Sequence, residues 1–147
     1  MGKSIFYRVF KLGSIPKELR SVLETEGIVV SDEGIGGWYV TKNLKTSGRR
    51  SKYRKEGFSG FLVITKTRVL AYTFKKRQIN IAVDDPNISE LYAEFISSEK
   101  LTLSFETSSF HDDWQGVVEL RFNTPKAQEF YDALLDVGIQ PGTVSDG

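Results

Sequence analysis

The stretch that determines the fold is Leu62–Tyr72, "LVITKTRVLAY", in which two apolar runs flank the dipeptide Lys66-Thr67. Aliphatic and β-branched residues on both sides favour extended strands, and a two-residue gap between them is typical of a tight turn. The first run begins earlier, as "GFSGFLVIT", and the second continues as "RVLAYTF". The segment therefore predicts an antiparallel β-hairpin.

Further strand-like segments lie on both sides of this hairpin, with no helical pattern between them. Upstream, Trp38–Leu44 is a predicted strand, and a short extended piece, "GIVVS", precedes it. Downstream, apolar and polar residues alternate in "QINIAV", "ELYAEF", "KLTLSFET" and "GVVELRF". Such alternation places one face of each strand on a core and the other toward water. Seven consecutive strands predict an antiparallel meander that curls into a partly open barrel.

A helix is predicted at each end of this series of strands. The first follows Ser14, a candidate N-cap, and ends at Gly27; the second starts with Thr124 as N-cap and Pro125 in the first turn, and ends at Gly138. Apolar residues at helical spacing give each helix one buried stripe. The stripes are Ile15, Leu19, Val22 and Leu23 in the first helix, and Ala127, Phe130, Tyr131, Leu134 and Leu135 in the second.

This order of strands and terminal helix resembles the pleckstrin-homology-like (PH-like) fold. "LVITKTRVLAY" is similar to a hairpin of bacterial PH-like and GRAM-like domains, with Thr65 and Arg68 at the motif positions, and "TPKAQEFYDALL" is similar to their final helix. The resemblance covers residues 38–138 and implies a mainly β protein, a seven-stranded antiparallel, partly open barrel with a C-terminal helix. Residues 1–37 then form an N-terminal helical extension packed on the domain, and residues 139–147 a disordered tail.

Composition narrows the classes of protein to consider. A chain of 147 residues is most simply one domain, and it contains no cysteine, which excludes a disulfide framework and a thiolate zinc site. No apolar run approaches the roughly 18 residues that a membrane-spanning helix needs. The first residues lack the features of a signal peptide, so the expected location is cytoplasmic, with peripheral membrane association as a possibility that the resemblance implies.

Charge is distributed unevenly along the chain. Residues 1–83 carry 17 Lys and Arg against 6 acids, or +11, whereas residues 84–147 carry 3 against 13, or −10. Segment 42–77 alone holds 12 basic residues and one acid, Glu56. Such a division polarises the folded surface if the two halves lie on different faces, and it is neutralised if they meet across one sheet.

The densest basic stretch is "KTSGRRSKYRKEG", residues 45–57, which is expected to form a loop between two strands. In the lipid-binding PH domains that this chain resembles, a headgroup sits beside the loop that joins the first two strands. The resemblance carries a pattern of Lys, a gap, Lys or Arg, one residue and Arg, which Lys45, Lys52 and Arg54 match. The other interpretation is a solvated loop whose charges keep a sheet edge soluble.

Arg and Lys side chains that converge with backbone N–H groups bind phosphates well, which makes this loop and the neighbouring hairpin a candidate anion site. The predicted ligand-binding residues are Lys45, Arg49, Arg50, Lys52, Arg54, Lys55, Lys66 and Arg68.

Other motifs favour structural roles. His111, Asp112 and Asp113 in "FHDDWQ" are metal-ligand types, but an exposed polar turn is the better interpretation, as a flexible turn or bulge is for "GIGGW". The sequence contains no recognisable catalytic constellation, so we predict neither an enzyme nor a cofactor or metal site.

The sequence therefore predicts a non-catalytic binding or scaffolding module whose partner is an anionic lipid headgroup or an acidic protein surface. The alternative is a structural module that self-assembles head to tail into a homo-oligomer, the basic half of one copy meeting the acidic half of the next. Nucleic-acid binding is a more distant possibility, because strand alternation places several of the aromatic residues in the core.

Overall fold

The computed structural model describes residues 13–46, 48–110 and 113–144. Helix α1 spans Lys17–Glu26 and helix α2 spans Ala127–Asp136. Short 3-10 turns occupy Pro86–Glu90 and Thr107–Ser109. The strands are β1 Ile28–Thr46, β2 Arg49–Thr65, β3 Arg68–Thr73, β4 Lys76–Ala82, β5 Tyr92–Ser97, β6 Lys100–Glu106, β7 Gln115–Asn123 and β8 Gln140–Pro141.

All eight strands belong to one sheet, in the order β4-β3-β2-β1-β7-β6-β5-β8. The sheet is curled into a half-barrel, so the predicted mainly β class with two helices is confirmed. Strands β1 to β4 form one meander and β5 to β7 another, and β1 joins them by pairing with both β2 and β7. The count is eight strands rather than seven because β8 adds to the edge of β5.

The hairpin predicted from "LVITKTRVLAY" is confirmed as β2 and β3. Ile64 pairs with Val69, and Lys66-Thr67 forms the turn. The hydroxyl oxygen of Thr65 accepts hydrogen bonds from the backbone N–H groups of Thr67 at 3.1 Å and Arg68 at 3.0 Å. This threonine therefore closes the turn with its side chain.

The first strand is longer than predicted. Strand β1 begins at Ile28 rather than Trp38, so it includes residues 28–31 of "GIVVS" and continues across the expected domain boundary at residues 37 and 38. Its pairing with β2 shifts register between Ile28 and Val30 and between Glu33 and Ile35. Residues 45–57 were expected to form a loop, and this is wrong. Residues 45–46 and 49–57 belong to β1 and β2, which form one long hairpin.

Two clusters of buried side chains lie on opposite faces of the sheet. The inner face carries the main core, in which residues from β1 to β7 pack with Ala127, Phe130 and Leu134 of α2. On the outer face of β2 and β3, Leu23 of α1 packs with a smaller cluster. The members of that cluster are Ile15, Leu23, Phe61, Val63 and Leu70.

The expectation that each strand has one wet face is wrong for the central strands. Residues 58–65 of β2 are all buried, because α1 covers one side and the main core the other. In β6 the polar side chains of Thr102 and Ser104 are buried as well. Residues 142–144 follow β8 toward this strand, where the Val144 N–H donates to Ser104 Oγ at 3.1 Å.

The helix ends differ from the prediction in detail. The N-cap position of helix α1 is Pro16 rather than Ser14, while Gly27 ends the helix as expected with a φ of 90°. Helix α2 begins at Ala127, three residues after Thr124, which instead accepts a hydrogen bond from the Lys126 N–H. Val22, assigned to the buried stripe of α1, is 49% exposed.

The end of the described chain is ordered against β5, although a disordered tail was expected there. Ile139 is buried, the Gln140 N–H donates to Leu91 O at 3.0 Å, and the Gly142 N–H donates to Ala93 O at 2.8 Å. The polar turn predicted at His111 and Asp112, the first 12 residues of the predicted extension and the last three of the tail lie outside the described residues.

Candidate functional site

The basic residues of segment 45–55 lie at the end of the β1–β2 hairpin. Thr46 pairs with Arg49 and Lys45 with Arg50, and Gly48 at the turn has a φ of 81°, which glycine adopts without strain. These cationic side chains are exposed. The hairpin is therefore a two-stranded ribbon that presents these cations near its turn.

Three of the predicted arginines meet a fourth cation in a cleft on the inner side of this hairpin. The cleft has a volume of about 700 Å³. Arg49, Arg50 and Arg54 line it from β2, and Lys76 lines it from the start of β4, two strands away in the sheet. Strand β3 pairs with β2 only from Gly60 to Ile64, so it does not separate Lys76 from the hairpin, and the curl of the sheet brings the two sides together. We call this feature the inner cleft.

The remaining lining residues are aromatic, aliphatic or small and polar, apart from one carboxylate. They are Tyr39, Thr41, Leu44, Thr46, Ser51, Glu56 and Trp114.

The carboxylate of the inner cleft is already paired. Glu56 Oε1 accepts a hydrogen bond from the Arg54 guanidinium, and both side chains remain about half exposed. Surface pairs of this kind contribute little to stability and exchange readily with solvent or ligand. With four cations and one acid, the cleft keeps an excess of positive charge, and this excess favours an anionic ligand.

The floor of the inner cleft contains an unsatisfied hydroxyl. Thr41 is 2% exposed, and its Oγ1 has no hydrogen-bond partner among the described residues. A buried hydroxyl without a partner costs about 1–3 kcal/mol, so such groups are uncommon in folded proteins. The oxygen is shielded from solvent, so a ligand in the cleft reaches it only when the side chains above it shift.

Tyr39 is the partly buried aromatic residue beside Thr41. Its burial raises the pKa of the phenol above the ordinary value, and the nearby charge of Glu56 raises it further, against an opposing effect of Arg54. The hydroxyl thus stays protonated at neutral pH and remains a hydrogen-bond donor. The phenol and the Thr41 hydroxyl give the floor two neutral polar groups below a rim of cations.

The other predicted site residues do not line the inner cleft. Lys45 and Lys52 are exposed on the hairpin, and Lys55 lies on the outer face of the sheet, where its Nζ sits 4.6 Å from the ring centroid of Trp38. Lys66 and Arg68 lie at the opposite end of β2, near α1. The eight predicted residues are therefore divided among three places.

Arg68 and Thr65, the two motif residues, hold the end of helix α1. Glu26 Oε1 accepts hydrogen bonds from Arg68 Nε at 3.0 Å, from Thr65 Oγ1 at 2.9 Å and from Thr67 Oγ1 at 3.1 Å. Burial alone would raise the pKa of Glu26, but these hydrogen bonds outweigh it and leave the pKa below its ordinary value. Arg68 thus has an internal carboxylate as its partner.

Sequence reasoning missed half of the inner cleft. Lys76 could have been suspected from "FKKRQ", a run of three cations after a predicted strand. Tyr39, Thr41 and Trp114 gave no signal, because their meeting depends on the curl of β1 and on the approach of the segment before β7. Alternation along a single strand does not reveal which distant residues share a cleft.

No three His, Asp or Glu side chains in residues 13–46, 48–110 and 113–144 are arranged to hold a metal ion. None of the helices in these ranges is long and apolar enough to cross a membrane.

Comparison with known proteins gives no independent indication of function. The sequence matches no protein-family model and has no significant relative among curated proteins. The geometry of the inner cleft is therefore the basis for assigning a role.

Proposed function

We propose that this chain is a PH-like, non-catalytic binding module that holds the phosphate-bearing headgroup of an anionic lipid in the inner cleft. It would act in the cytoplasm, at the membrane surface. The proposal depends on one observation. A single cleft is lined by Arg49, Arg50, Arg54 and Lys76, and the unsatisfied hydroxyl of Thr41 lies below them.

The types of side chain in the inner cleft suit a phosphate. Each arginine offers a planar fork of N–H donors that matches phosphate oxygens, and Lys76 offers a mobile positive charge. Thr41 and Tyr39 can hydrogen-bond to hydroxyl or phosphate oxygens deeper in the cleft. An acidic protein surface is the other anionic partner that these residues could take, and the experiment below separates the two.

The connectivity of the sheet supports the proposal that this chain is a PH-like domain. Two antiparallel meanders share the long strand β1, and a C-terminal helix packs against the inner face. This arrangement fits a PH-like domain, with β8 as an addition at one edge. Because folds of this type serve many roles, the functional argument depends on the cleft itself and not on the fold.

The electrostatic attraction is useful but insufficient alone. A basic residue near an anionic bilayer contributes about 1 kcal/mol, so four cations reduced by one acid give about 3 kcal/mol, or a factor of roughly 150 in partitioning. Stable attachment therefore needs hydrogen bonds to the headgroup, or several copies acting together.

Co-sedimentation with vesicles tests the proposal. Wild-type protein should pellet with vesicles that contain anionic phospholipid and stay in solution with neutral ones. The double variant Arg49→Glu and Arg50→Glu should lose at least about tenfold in partitioning, because it replaces two attractions by two repulsions. The control is Lys17→Glu with Lys66→Glu, which changes the net charge equally at positions outside the inner cleft.

A second arm distinguishes specific recognition from general attraction. Thr41→Val removes the buried hydroxyl while keeping its shape, so the fold should be as stable as in wild type or more so. Headgroup binding should nevertheless weaken several-fold, measured with a soluble phosphorylated headgroup by calorimetry. Equal pelleting of the Arg49/Arg50 variant and the Lys17/Lys66 control would refute the lipid assignment.

Light scattering across a salt series is measured on the same samples. Head-to-tail assembly would also depend on Arg49 and Arg50, and it would appear as a mass that falls as salt screens the charges. A constant monomeric mass together with vesicle binding supports the lipid proposal, whereas salt-sensitive oligomers without vesicle binding support the self-assembling module.

A further inference from the structure

A second group of cations lies on the outer face of the sheet, away from the inner cleft. A groove of about 680 Å³ crosses strands β1, β7, β6 and β5 there. We call it the outer groove. Its charged and aromatic lining residues are Trp38, Lys42, Lys55, Glu94, Lys100, Glu119, Arg121 and Phe122.

Strand register places these side chains next to one another. Trp38 pairs with Arg121 across β1 and β7, and Val40, the next outward-facing residue of β1, pairs with both Lys55 and Glu119. Side chains of directly paired residues in neighbouring strands lie about 5 Å apart on the same face. The outer groove is thus a close array in which cations surround one indole ring.

A buried carboxylate fixes two of these cations. Glu119 is 6% exposed, and it forms salt bridges of 2.8 Å with both Lys42 and Arg121. Burial by itself would raise the pKa of Glu119, but hydrogen bonds from Lys42 and Arg121 overcome that effect and lower the pKa. The carboxylate stays ionised and directs the two cations, whose side chains remain about one-third exposed.

Aromatic rings are exposed on the same face. Trp38 is 44% exposed and Tyr53 is 54% exposed, although both are large and partly apolar. Tyr53 pairs with Lys42, so it lies on the outer face beside the groove, two outward positions from Trp38. Lys55, positioned over the indole, lies between them. Exposed rings with cations between them suit a ligand that carries both flat aromatic groups and negative charges.

We propose that the outer face of β1 and β2 binds single-stranded nucleic acid. One base stacks on Trp38 and displaces the Lys55 ammonium from over the indole, and another base stacks on Tyr53. Lys55 and Arg121 then contact the phosphates between and beside these bases. Four residues of strand span about 13 Å, which matches about two nucleotides of an extended strand. The pattern of flat rings with charges between them fits a chain that alternates bases and phosphates.

Other anionic partners fit the outer groove less well. An acidic peptide would use Lys55 and Arg121 but would leave the faces of the indole and phenol without a matching flat group. A bilayer is flat and does not enter a groove whose lining includes the carboxylates of Glu94 and Glu119. Stacking on Trp38 is therefore the property that separates the proposed ligand from these alternatives.

The outer groove is independent of the inner cleft. Lys55 and Arg54 are neighbours in β2, but they point to opposite faces of the sheet. Loss of headgroup binding in the Arg49/Arg50 variant therefore leaves the outer groove intact. The two proposals stand or fall separately.

Fluorescence anisotropy with a labelled ten-nucleotide oligo-dT, measured at several salt concentrations, tests the proposal. We expect Trp38→Ala to weaken binding about tenfold while leaving the dependence on salt unchanged, because it removes stacking and no charge. We expect Lys55→Gln to reduce the slope of log K against log salt by about 0.7, the amount for one lost phosphate contact with a single strand. Lys17→Gln is the control and should behave as wild type.

Competition experiments identify which chemical groups the outer groove recognises. Unlabelled oligo-dT should compete strongly, a single nucleoside monophosphate weakly, and polyglutamate only as far as its charge allows. Circular dichroism and thermal unfolding verify that each variant is folded. Wild-type protein that fails to bind oligo-dT at about 50 mM salt would overturn the proposal, since electrostatic contacts are strong there. So would equal affinity of wild type and a folded Trp38→Ala, or polyglutamate competing as well as oligo-dT.

Discussion

Single glycines allow β1 and β2 to pair closely with a second neighbouring strand. A Cβ atom on Gly37 would lie 2.0 Å from the carbonyl oxygen of Arg121, and one on Gly60 would lie 1.9 Å from that of Tyr72. These contacts are with backbone atoms, which move only if strands separate. The motif "GIGGW", interpreted from sequence as a flexible turn or bulge, lies within β1, where the pairing with β2 shifts register between Glu33 and Ile35, at Gly34. Its Gly37 lets β7 approach closely.

Gly37→Ala is therefore expected to destabilise the protein by about 2 kcal/mol or more, because the added methyl group collides with a paired strand. The matched control is Gly57→Ala, whose added Cβ would meet nothing closer than 3.7 Å, an ordinary contact with Trp38. That control should stay within about 1 kcal/mol of wild type. Urea unfolding compares the two, and similar midpoints would show that β7 does not need the close approach.

Between elements, the best-defined connection joins α1 to the β2–β3 turn. Three donors from one hairpin converge on one carboxylate oxygen of Glu26, and the Lys66 N–H donates to Gly27 O at 2.9 Å. This connection explains why Thr65 and Arg68 stand three residues apart: the hydroxyl closes the turn and the guanidinium reaches the helix. It also explains why Arg68 does not join the inner cleft.

A double-mutant cycle on Glu26→Ala and Arg68→Ala measures this connection. We expect a coupling energy of about 1 kcal/mol, because both side chains are about one-fifth exposed and water weakens the pair. Amide hydrogen exchange should become faster in α1 while β6 and β7 remain protected. Additive effects of the two substitutions, with unchanged exchange in α1, would contradict the role of Glu26 as an anchor.

Across the whole molecule, the two faces of one hairpin carry two cationic sites of different character. The inner cleft combines a rim of arginines with neutral hydroxyls, and the outer groove combines cations with exposed rings. The acids that accompany them, Glu56 and Glu119, differ in burial. Glu119 is part of the folded architecture, so its charge state affects the stability of the entire domain.

Stability should therefore decrease in acid. Glu26 and Glu119 both have a pKa below the ordinary 4.5 in the folded protein, so the unfolded chain binds protons first as the pH falls. Their stabilising contribution is complete above about pH 4.5 and is lost as the pH falls through the folded values. Glu119→Gln should have a lower unfolding free energy at pH 7 but a shallower decline between pH 5 and 3, measured by urea unfolding. Parallel curves for variant and wild type would count against this assignment.

Local patterns predicted the elements better than the sites. The β2–β3 hairpin followed from two apolar runs and a two-residue gap, and the second helix from its apolar stripe, because both depend on neighbours in sequence. The extension of β1 back to Ile28 was missed, since "GIGGW" interrupts the alternation. Likewise, Lys55 and Arg54 lie on opposite faces of the sheet because this segment is a strand. Their separation was missed because a loop was predicted there. The contribution of Lys76 depends on the curl of the sheet, which no local pattern encodes.

The central position of β1 has a consequence during synthesis on the ribosome. One edge of β1 can pair with β2 as soon as that strand emerges, but the other edge pairs with β7, whose residues follow roughly 70 to 90 positions later. At about 5–20 residues per second, that edge stays unpaired for roughly 4 to 18 seconds. A nascent chain in which one edge of β1 is unpaired during this interval is expected to bind chaperones that shield extended segments.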